Sequence, residues 1–239
     1  MMRGVISILI VFTPFLLKGQ PALNVPADHR QPQLNVSLAL EPEVVLVANY
    51  TWGVTTEELP VNFRLGGGTK IPTTLFSNRA WRVHLTGSAD WVHKNKLGVA
   101  ANSFVYLVHN RNRAGEIYGL GFEIRANPGY YRPNWNWSLD LGWQNTFASY
   151  ITHSEETRFT FEDRYPDGVE GIPGPRDGWY GATANRFRVG FLGTRHFSEK
   201  VSFAVALGTL FATQRQGLLF SFDFAQLPVY LETTVRIGL

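Results

Sequence analysis

Hydrophobic and polar residues alternate with a period of two through much of this chain. In the stretch 135–144 the odd positions are Trp, Trp, Leu, Leu and Trp, and the even positions are Asn, Ser, Asp, Gly and Gln. Successive side chains of a β-strand point to opposite faces, so the stretch predicts a strand with one apolar and one polar face. A one-residue slip would exchange the faces, which sets the register. The apolar face is predicted to continue through Phe147 and Ile151.

The same alternation recurs along the chain and indicates an all-β fold of about ten strands, with eight to twelve possible. Trp81 and Trp91 end the apolar face of one such strand. The ten residues between them correspond to ~33 Å along a strand and to ~25 Å across a barrel wall tilted by ~40°. That is the height of the apolar band of an outer-membrane barrel, with each indole at a lipid–water interface. The spacing favours a transmembrane antiparallel up-and-down β-barrel over a soluble sandwich.

The connections between these strands sort into two alternating groups. If both termini are periplasmic, the short turns lie inside and the longer connections outside, as is typical of such barrels. The short group lies near 93–96, 128–133 and 198–200; the other lies near 72–79, 111–115, 153–183 and 214–227, of which 153–183 is the longest.

The first residues predict a secretory signal over 1–19. Arg3 precedes an apolar run over 5–17, and polar sequence follows. Cleavage after Gly19 is preferred and cleavage after Ala22 is an alternative. Residues 20–32 then form a short periplasmic leader, and residues 33–239 form the barrel domain. After the signal no apolar stretch is long enough for a transmembrane helix.

Charge and composition exclude several classes of function. The chain has 22 basic and 19 acidic residues, and Arg3 and Lys18 belong to the predicted signal, which leaves 20 basic against 19 acidic. A near-neutral chain is not expected to bind nucleic acid. The absence of Cys excludes disulfides and Cys-ligated metals. No cofactor motif is present, and the acidic residues of 153–183 lack the spacing of an EF-hand calcium site.

The signal, the alternating strands, the Trp spacing and the closing segment 229–239 together resemble the small outer-membrane β-barrel proteins of Gram-negative bacteria. The family usually ends in an aromatic residue, whereas this chain ends in Leu239. With a Gln directly after the predicted cleavage site, the chain resembles exported proteins of Bacteroidota. The runs His153-Ser154, Tyr165-Pro166 and 177–181 resemble an uncharacterised group of barrels from those bacteria. This resemblance implies no activity.

The resemblance implies the cell outer membrane as the location of the protein. It also implies outer-membrane lipid and lipopolysaccharide as surroundings, and the barrel assembly machinery as a partner during biogenesis.

The polar faces carry charged side chains. Placing an Arg or Lys in contact with lipid would cost ~2–4 kcal/mol, so these faces are predicted to line the lumen. There they are expected to pair and fill a narrow interior, with a narrow ion or solute path as the alternative. They are Arg64, Lys70, Arg82, His84, Asp90, Glu123, Arg125, Asp140, Arg186, Arg188, Glu232 and Arg236.

Two histidines are candidate catalytic bases. His196-Phe197-Ser198 resembles the His-x-Ser element of lipid A deacylases, but Glu199 replaces the Asn that usually follows, and the turn lies on the periplasmic side. His153-Ser154 begins the long external loop, where a hydrolase acting on lipid A or peptides would work. Neither forms a complete catalytic constellation, so no catalytic residue is assigned.

The function predicted from the sequence is a non-enzymatic outer-membrane barrel whose external loops bind a ligand or support the envelope. The alternatives are an outer-membrane hydrolase acting on lipid A or peptides, and a narrow pore. No cofactor and no metal are expected. The candidate ligand-binding residues lie in or beside the longest loop: His153, Glu155, Arg158, Asp177 and Trp179.

Overall fold

The structure, a computed structural model, describes residues 32–41, 43–54, 61–72, 80–93, 96–112, 115–164, 176–214 and 229–239. The predicted signal and all of the predicted leader except Pro32 lie outside the described residues. Most of the predicted connections near 72–79 and 214–227 also lie outside them.

Ten antiparallel strands and one helix make up the described chain. Their alternating side chains and the polar segments between them are typical of a meander of paired strands. The elements are β1 (Gln33–Glu41), β2 (Glu43–Val54), β3 (Asn62–Pro72), β4 (Ala80–Val92), β5 (Leu97–Asn112), β6 (Gly115–Tyr131), β7 (Trp135–His153), α1 (Glu155–Arg164), β8 (Gly178–His196), β9 (Val201–Gln214) and β10 (Val229–Gly238).

The strands form one closed barrel in which each strand pairs with its neighbours in sequence and β1 pairs with β10. At this seam Gln33 lies opposite Gly238 and Leu40 lies opposite Leu231. Closure gives every described strand a partner on both sides over most of its length, which removes the open edges of a flat sheet. The predicted ten-stranded up-and-down barrel is therefore confirmed.

The barrel has two unlike ends. The end that holds the first residue of β1 and the last of β10 is called the terminal end, and the other the loop end. Strand direction puts the turns at 93–96, 132–134 and 197–200 at the terminal end. Helix α1 lies at the loop end. The strands are also unequal in length, from 9 residues in β1 to 19 in both β7 and β8.

The predicted division of side chains between the two faces is confirmed. On the outside, Leu85 is 72% exposed and Trp137 is 61% exposed. On the inside, Asp140 is only 3% exposed. This distribution is the reverse of that in a soluble β-protein, whose apolar side chains fill the centre.

One prediction about this division was wrong. Ile151, expected on the outer face, is 1% exposed and lies inside. Thr146 and Ala148 pair with the adjacent residues Gly121 and Leu120 of β6, so β7 carries one extra residue and a bulge there. A bulge adds one residue and inverts the alternation beyond it. Phe147 stays outside, whereas Ile151 does not.

Several connections are shorter than predicted because the strands extend further. β5 and β6 leave only residues 113–114 between them, and β6 runs to Tyr131, so the predicted turn at 128–133 lies at 132–134. The predicted loop 153–183 contains α1 and ends where β8 begins at Gly178. Among the residues that the structure describes, no helix combines the length and the apolar character needed to cross a membrane.

Helix α1 begins with favourable terminal chemistry although it lacks an apolar stripe. The Ser154 hydroxyl accepts the backbone N–H of Thr157 at 3.1 Å, and Glu155 and Glu156 occupy the first turn. A side-chain cap and negative charge both stabilise a helix N-terminus. Within the described chain the helix makes no extensive contact with any strand. A described contact between the helix and the barrel end is the ion pair of Arg158 with Asp177.

Two tyrosines inside the barrel lie against glycines of neighbouring strands. A methyl group at Gly121 would overlap the Tyr106 ring, and one at Gly190 would overlap the Tyr230 hydroxyl and the Leu207 carbonyl. Close approach of a ring to backbone is a common reason for Gly inside a strand.

Replacing Gly190 with Ala is expected to lower the free energy of unfolding by about 1–3 kcal/mol, because the added methyl group overpacks the Tyr230 site. Unfolding in urea with the protein in detergent measures the change. Gly181→Ala in the same strand is the matched control, since its methyl group would meet no atom within 4 Å. Equal effects of the two substitutions would contradict the packing argument.

Candidate functional site

The lumen is the first candidate site. All of the charged side chains and the histidine that the sequence placed on inward faces line its cavities, which confirms that prediction. Several are more than nine-tenths buried, including Arg82, Glu123 and Arg188. Buried charge is tolerated only when it is paired and hydrogen-bonded, so the pairing pattern decides what the lumen can do.

A chain of ion pairs crosses the lumen from β4 to β7. Arg82 Nη2 donates to Glu123 at 2.8 Å, and Arg125 Nε donates to the same carboxylate. Arg125 Nη1 also donates to Glu232 at 3.2 Å. We call the eight residues of this level the charged belt: Lys70, Arg82, Glu123, Arg125, Asp140, Arg186, Arg188 and Glu232.

Arg188 completes the belt on the other side of the lumen. Its Nη2 lies 3.0 Å from Glu232 Oε2 and 2.7 Å from Asp140 Oδ2. Tyr230 donates its hydroxyl to Asp140 Oδ2 at 2.7 Å, and Asn127 Nδ2 donates to Asp140 Oδ1 at 3.2 Å. Asp140 therefore has three partners from three other strands, and it fastens opposite walls of the barrel together.

Each of two belt arginines stacks on a tyrosine ring. The guanidinium carbon of Arg82 lies 3.9 Å from the centre of the Tyr106 ring, and that of Arg188 lies 3.9 Å from the centre of the Tyr230 ring. A cation over an aromatic face is stabilised by about 0.5–2 kcal/mol, more when it is desolvated. The stacking helps to position both guanidiniums inside the lumen.

Several cavities of the lumen are lined by described residues on either side of the belt. On the terminal-end side lie cavities of ≈ 190 Å³ and ≈ 170 Å³, measured as space for the centre of a water molecule. On the loop-end side lies a void of ≈ 10 Å³. The two larger cavities share an amide-rich wall formed by Asn35, Asn49, Asn102 and Asn127.

Replacing Asp140 with Asn should lower the free energy of unfolding by about 3 kcal/mol, because Arg188 loses a buried counter-charge. Glu116→Gln is the control, since Glu116 pairs with His109 near the barrel rim and partly exposed pairs contribute about 1 kcal/mol or less. Urea unfolding in detergent measures both. A loss at Asp140 no larger than that at Glu116 would show that the belt does not stabilise the barrel.

The second candidate site is the rim of the loop end, where the structure brings together three of the predicted binding residues. His153 donates its backbone N–H to Asp177 Oδ1 at 2.9 Å, and its Nδ1 lies 3.2 Å from the same oxygen. Arg158, in the first turns of α1, donates to the other oxygen of Asp177. The carboxylate therefore ties the end of β7, the helix and the start of β8 to one another.

The electrostatics of this cluster favour an ionised carboxylate. The backbone N–H of His153 lowers the pKa of Asp177 below its usual value, assisted by the His153 ring and Arg158 and opposed by desolvation. A carboxylate with a lowered pKa stays charged throughout the physiological range. The Asp177 carboxylate is therefore charged at neutral pH and can pair with Arg158.

The other two predicted binding residues stand apart from the cluster. Glu155 is exposed in the first turn of α1. Trp179 is 69% exposed, and its ring meets the Tyr150 ring edge to face at 5.5 Å. Trp179 continues the outer face of the barrel, whereas Glu155 faces the surroundings of the loop end.

The hydroxyls beside the two candidate catalytic histidines serve the local backbone. Ser154 caps α1. Ser198 Oγ accepts the backbone N–H groups of Lys200 at 3.3 Å and Val201 at 3.1 Å, which stabilises the turn between β8 and β9. The His196 ring meets the Asn136 amide at 3.1 Å. Within the described chain no cluster of three metal-ligating side chains occurs.

Sequence reasoning did not identify Tyr106 as part of the lumen network. Its hydroxyl lies 2.8 Å from Thr146 Oγ1 and accepts a hydrogen bond from Gln144 Nε2 at 3.2 Å. Its inward position could have been predicted, because Val105 and Leu107 on either side of it lie on the outer face. Its close contact with Gly121 could have been suspected from the glycines that alternate along β6.

Comparison with known proteins gives distant structural similarity only. No protein-family model and no curated protein matches the chain. The β domain of the Bordetella autotransporter Brka is similar over 89% of this chain and 100% of that chain, at 11% identity and a TM-score of 0.40. The KdgM porin is similar over 87% and 99%, at 6% identity and a TM-score of 0.28. LpxR from Salmonella typhimurium is similar over 94% and 78%, at 10% identity and a TM-score of 0.31.

Proposed function

We propose that this protein is a non-enzymatic β-barrel of the bacterial outer membrane, with its loop end outside the cell and its lumen closed by the charged belt. The observation that carries the proposal is the apolar outer wall around a charged interior. A water-soluble barrel would expose that wall at a large cost in free energy, whereas a bilayer solvates it.

Rows of aromatic side chains at both ends of the wall support this location. At the loop end, neighbouring strands place five rings in register, and the rings of Trp81 and His109 lie 5.3 Å apart. Such rows are typical of the interfaces between lipid and water. The row is Trp81, His109, Tyr118, Tyr150 and Trp179. At the terminal end the rings include Trp91, Tyr130 and Trp135.

The immediate partners in this proposal are outer-membrane lipid and lipopolysaccharide, with the barrel assembly machinery acting during biogenesis. Exposed Arg111, Arg158 and Arg176 lie at the loop end. Arginine forms bidentate hydrogen bonds with phosphate groups, which lipopolysaccharide carries. The same rim, with Trp179 and α1, is the surface proposed to bind an external ligand.

Replacing Leu85 with Lys tests the location. If Leu85 faces lipid, the substitution should cost about 2–4 kcal/mol near mid-membrane. If the outer wall faces water, an exposed Leu→Lys change should stay within about 0.5 kcal/mol. The control is Phe197→Lys, also exposed but in the turn at the terminal end. Refolding equilibria in lipid vesicles give the cost, and a loss at Leu85 matching that at Phe197 would reject the membrane location.

Replacing residues 155–176 with a short Gly/Ser linker tests whether the rim is separable from the scaffold. Because α1 makes no extensive contact with the described strands, the barrel should keep its unfolding free energy within about 0.5 kcal/mol. The heat-modifiable gel mobility of folded barrels, measured on outer-membrane fractions, reports folding. A misfolded product would show that the loop belongs to the scaffold and would weaken its assignment as a binding surface.

A narrow solute path is the second candidate function. The cavities on the terminal-end side of the belt favour it, because they would supply part of such a path through the lumen. Conductance of the purified protein in planar bilayers separates the two candidates. Single-channel steps support the path, and their absence supports a closed lumen.

A further inference from the structure

Four asparagines form one wall of the lumen on the terminal-end side of the belt. They come from β1, β2, β5 and β6, and all of them line both of the larger cavities. Asn35 and Asn49 lie directly opposite each other in the pairing of β1 with β2. A methyl group at Gly68 would overlap the Asn49 amide, so the glycine leaves the room that this amide occupies. The other two asparagines are Asn102 and Asn127.

The protein itself engages these amides only in part. Asn35 Oδ1 accepts a hydrogen bond from Arg236 Nε at 3.1 Å, and Asn49 Oδ1 contacts His84 Nε2. Among the described residues the Asn102 amide has no hydrogen-bond partner. These three asparagines lie on the inner face and are not fully buried, so part of their surface faces the lumen. Polar groups in such a position need water or a ligand as hydrogen-bond partners.

Hydroxyl side chains extend this neutral polar wall in the smaller of the two cavities. They are Thr51, Thr86, Ser88, Ser138 and Thr194. Amides and hydroxyls offer both donors and acceptors without net charge. The ionic groups of the same cavity include both signs, since Asp90 lies within electrostatic range of Arg64 and Arg236. The wall therefore matches a ligand whose hydroxyl groups donate and accept hydrogen bonds, rather than an ion.

The cavity volumes set the size of such a ligand. One water molecule needs about 10–15 Å³ of this kind of space, so the cavity of ≈ 170 Å³ holds on the order of ten waters. A monosaccharide displaces fewer waters than that, whereas a long oligosaccharide displaces more. The cavity also reaches the terminal end, because its wall includes Gln33, the first residue of β1, and Tyr131, the last residue of β6.

We propose that the terminal-end cavities hold a binding site for one neutral polyhydroxylated solute of monosaccharide size, with Asn35, Asn49 and Asn102 donating to its hydroxyl oxygens. Such a solute replaces several waters at once and reproduces the hydrogen bonds that they make with the wall. It enters from the terminal end without crossing the charged belt. The site adds a ligand to the lumen and does not depend on what binds at the rim.

Saturation-transfer difference NMR on the purified protein in detergent micelles tests the proposal. The probes are D-glucose, D-galactose and myo-inositol, and micelles without protein give the background. At least one probe should bind with a dissociation constant of about 1 mM or below. No saturation transfer from the protein to any of the three would overturn the proposal. Because the measurement is made in detergent, that failure would leave the membrane location of the barrel untouched.

Asn102→Ala should weaken binding of the best probe about tenfold, which corresponds to the loss of one or two hydrogen bonds. Its unfolding midpoint should change little, because Asn102 has no described partner to lose. The matched control is Asn110→Ala, since Asn110 lies on the same strand with the same inward alternation but opposite Ala80 at the loop end. The control should keep full affinity. Unchanged binding in Asn102→Ala, or equal weakening in both variants, would overturn the proposed site.

D-glucuronate, which has the ring of glucose and one carboxylate, tests whether the ligand is neutral. It should bind more weakly than D-glucose, because a wall of amides and hydroxyls does not offset the cost of desolvating a charge. Equal or tighter binding of D-glucuronate would assign the space to an anion and would overturn the proposed ligand class.

Discussion

The pairing of β1 with β10 is the interaction on which the rest of this structure depends. A sheet that ended at either strand would leave a row of backbone donors and acceptors without partners, and neither lipid nor a packed interior could satisfy them. Closure removes that cost for every strand at once. It also commits each residue to one of two surfaces, since alternate side chains of a closed sheet must lie outside or inside.

That commitment explains why so many ionisable groups occupy the centre of a small barrel. The outer face is mostly apolar, and the charged side chains of the strands lie largely in the lumen, where they must satisfy one another. Asp140 and Glu232 each contact groups from more than one strand. The interior is therefore held together by directional contacts rather than by the shape of an oily core, and each contact depends on its neighbours.

Much of the fold could be predicted from the sequence, because a closed sheet with unlike faces requires apolar and polar residues to alternate along each strand. The alternation alone was enough to predict that Leu85 and Trp137 lie outside and that Arg82 and Asp140 lie inside. The predicted outer position of Ile151 was wrong because a bulge is a local change of strand pairing, and the alternation of residues in the sequence does not reveal it. Helix α1 was not predicted from the sequence because it has no apolar stripe. Ser154 and the two glutamates after it are nevertheless typical of a helix N-terminus.

The candidate sites were predictable to different degrees for the same reason. Parity placed each charged side chain in the lumen, but which groups pair depends on strand register and tilt, which bring distant positions such as Arg125 and Glu232 together. At the rim, Asp177 lies 24 residues from His153 along the chain, and their contact depends on the pairing of β7 with β8. Sequence spacing carries no information about such contacts.

The unequal strands give the barrel a slanted upper margin. At ~3.3 Å per residue, ten additional residues lengthen β7 and β8 by roughly 33 Å relative to β1. In the membrane setting proposed above, β7 and β8 would stand clear of the headgroups while β1 remains level with them. Among the described strands, β7 and β8 would then reach furthest from the bilayer, and a neighbouring membrane protein could lie flush only against the low side.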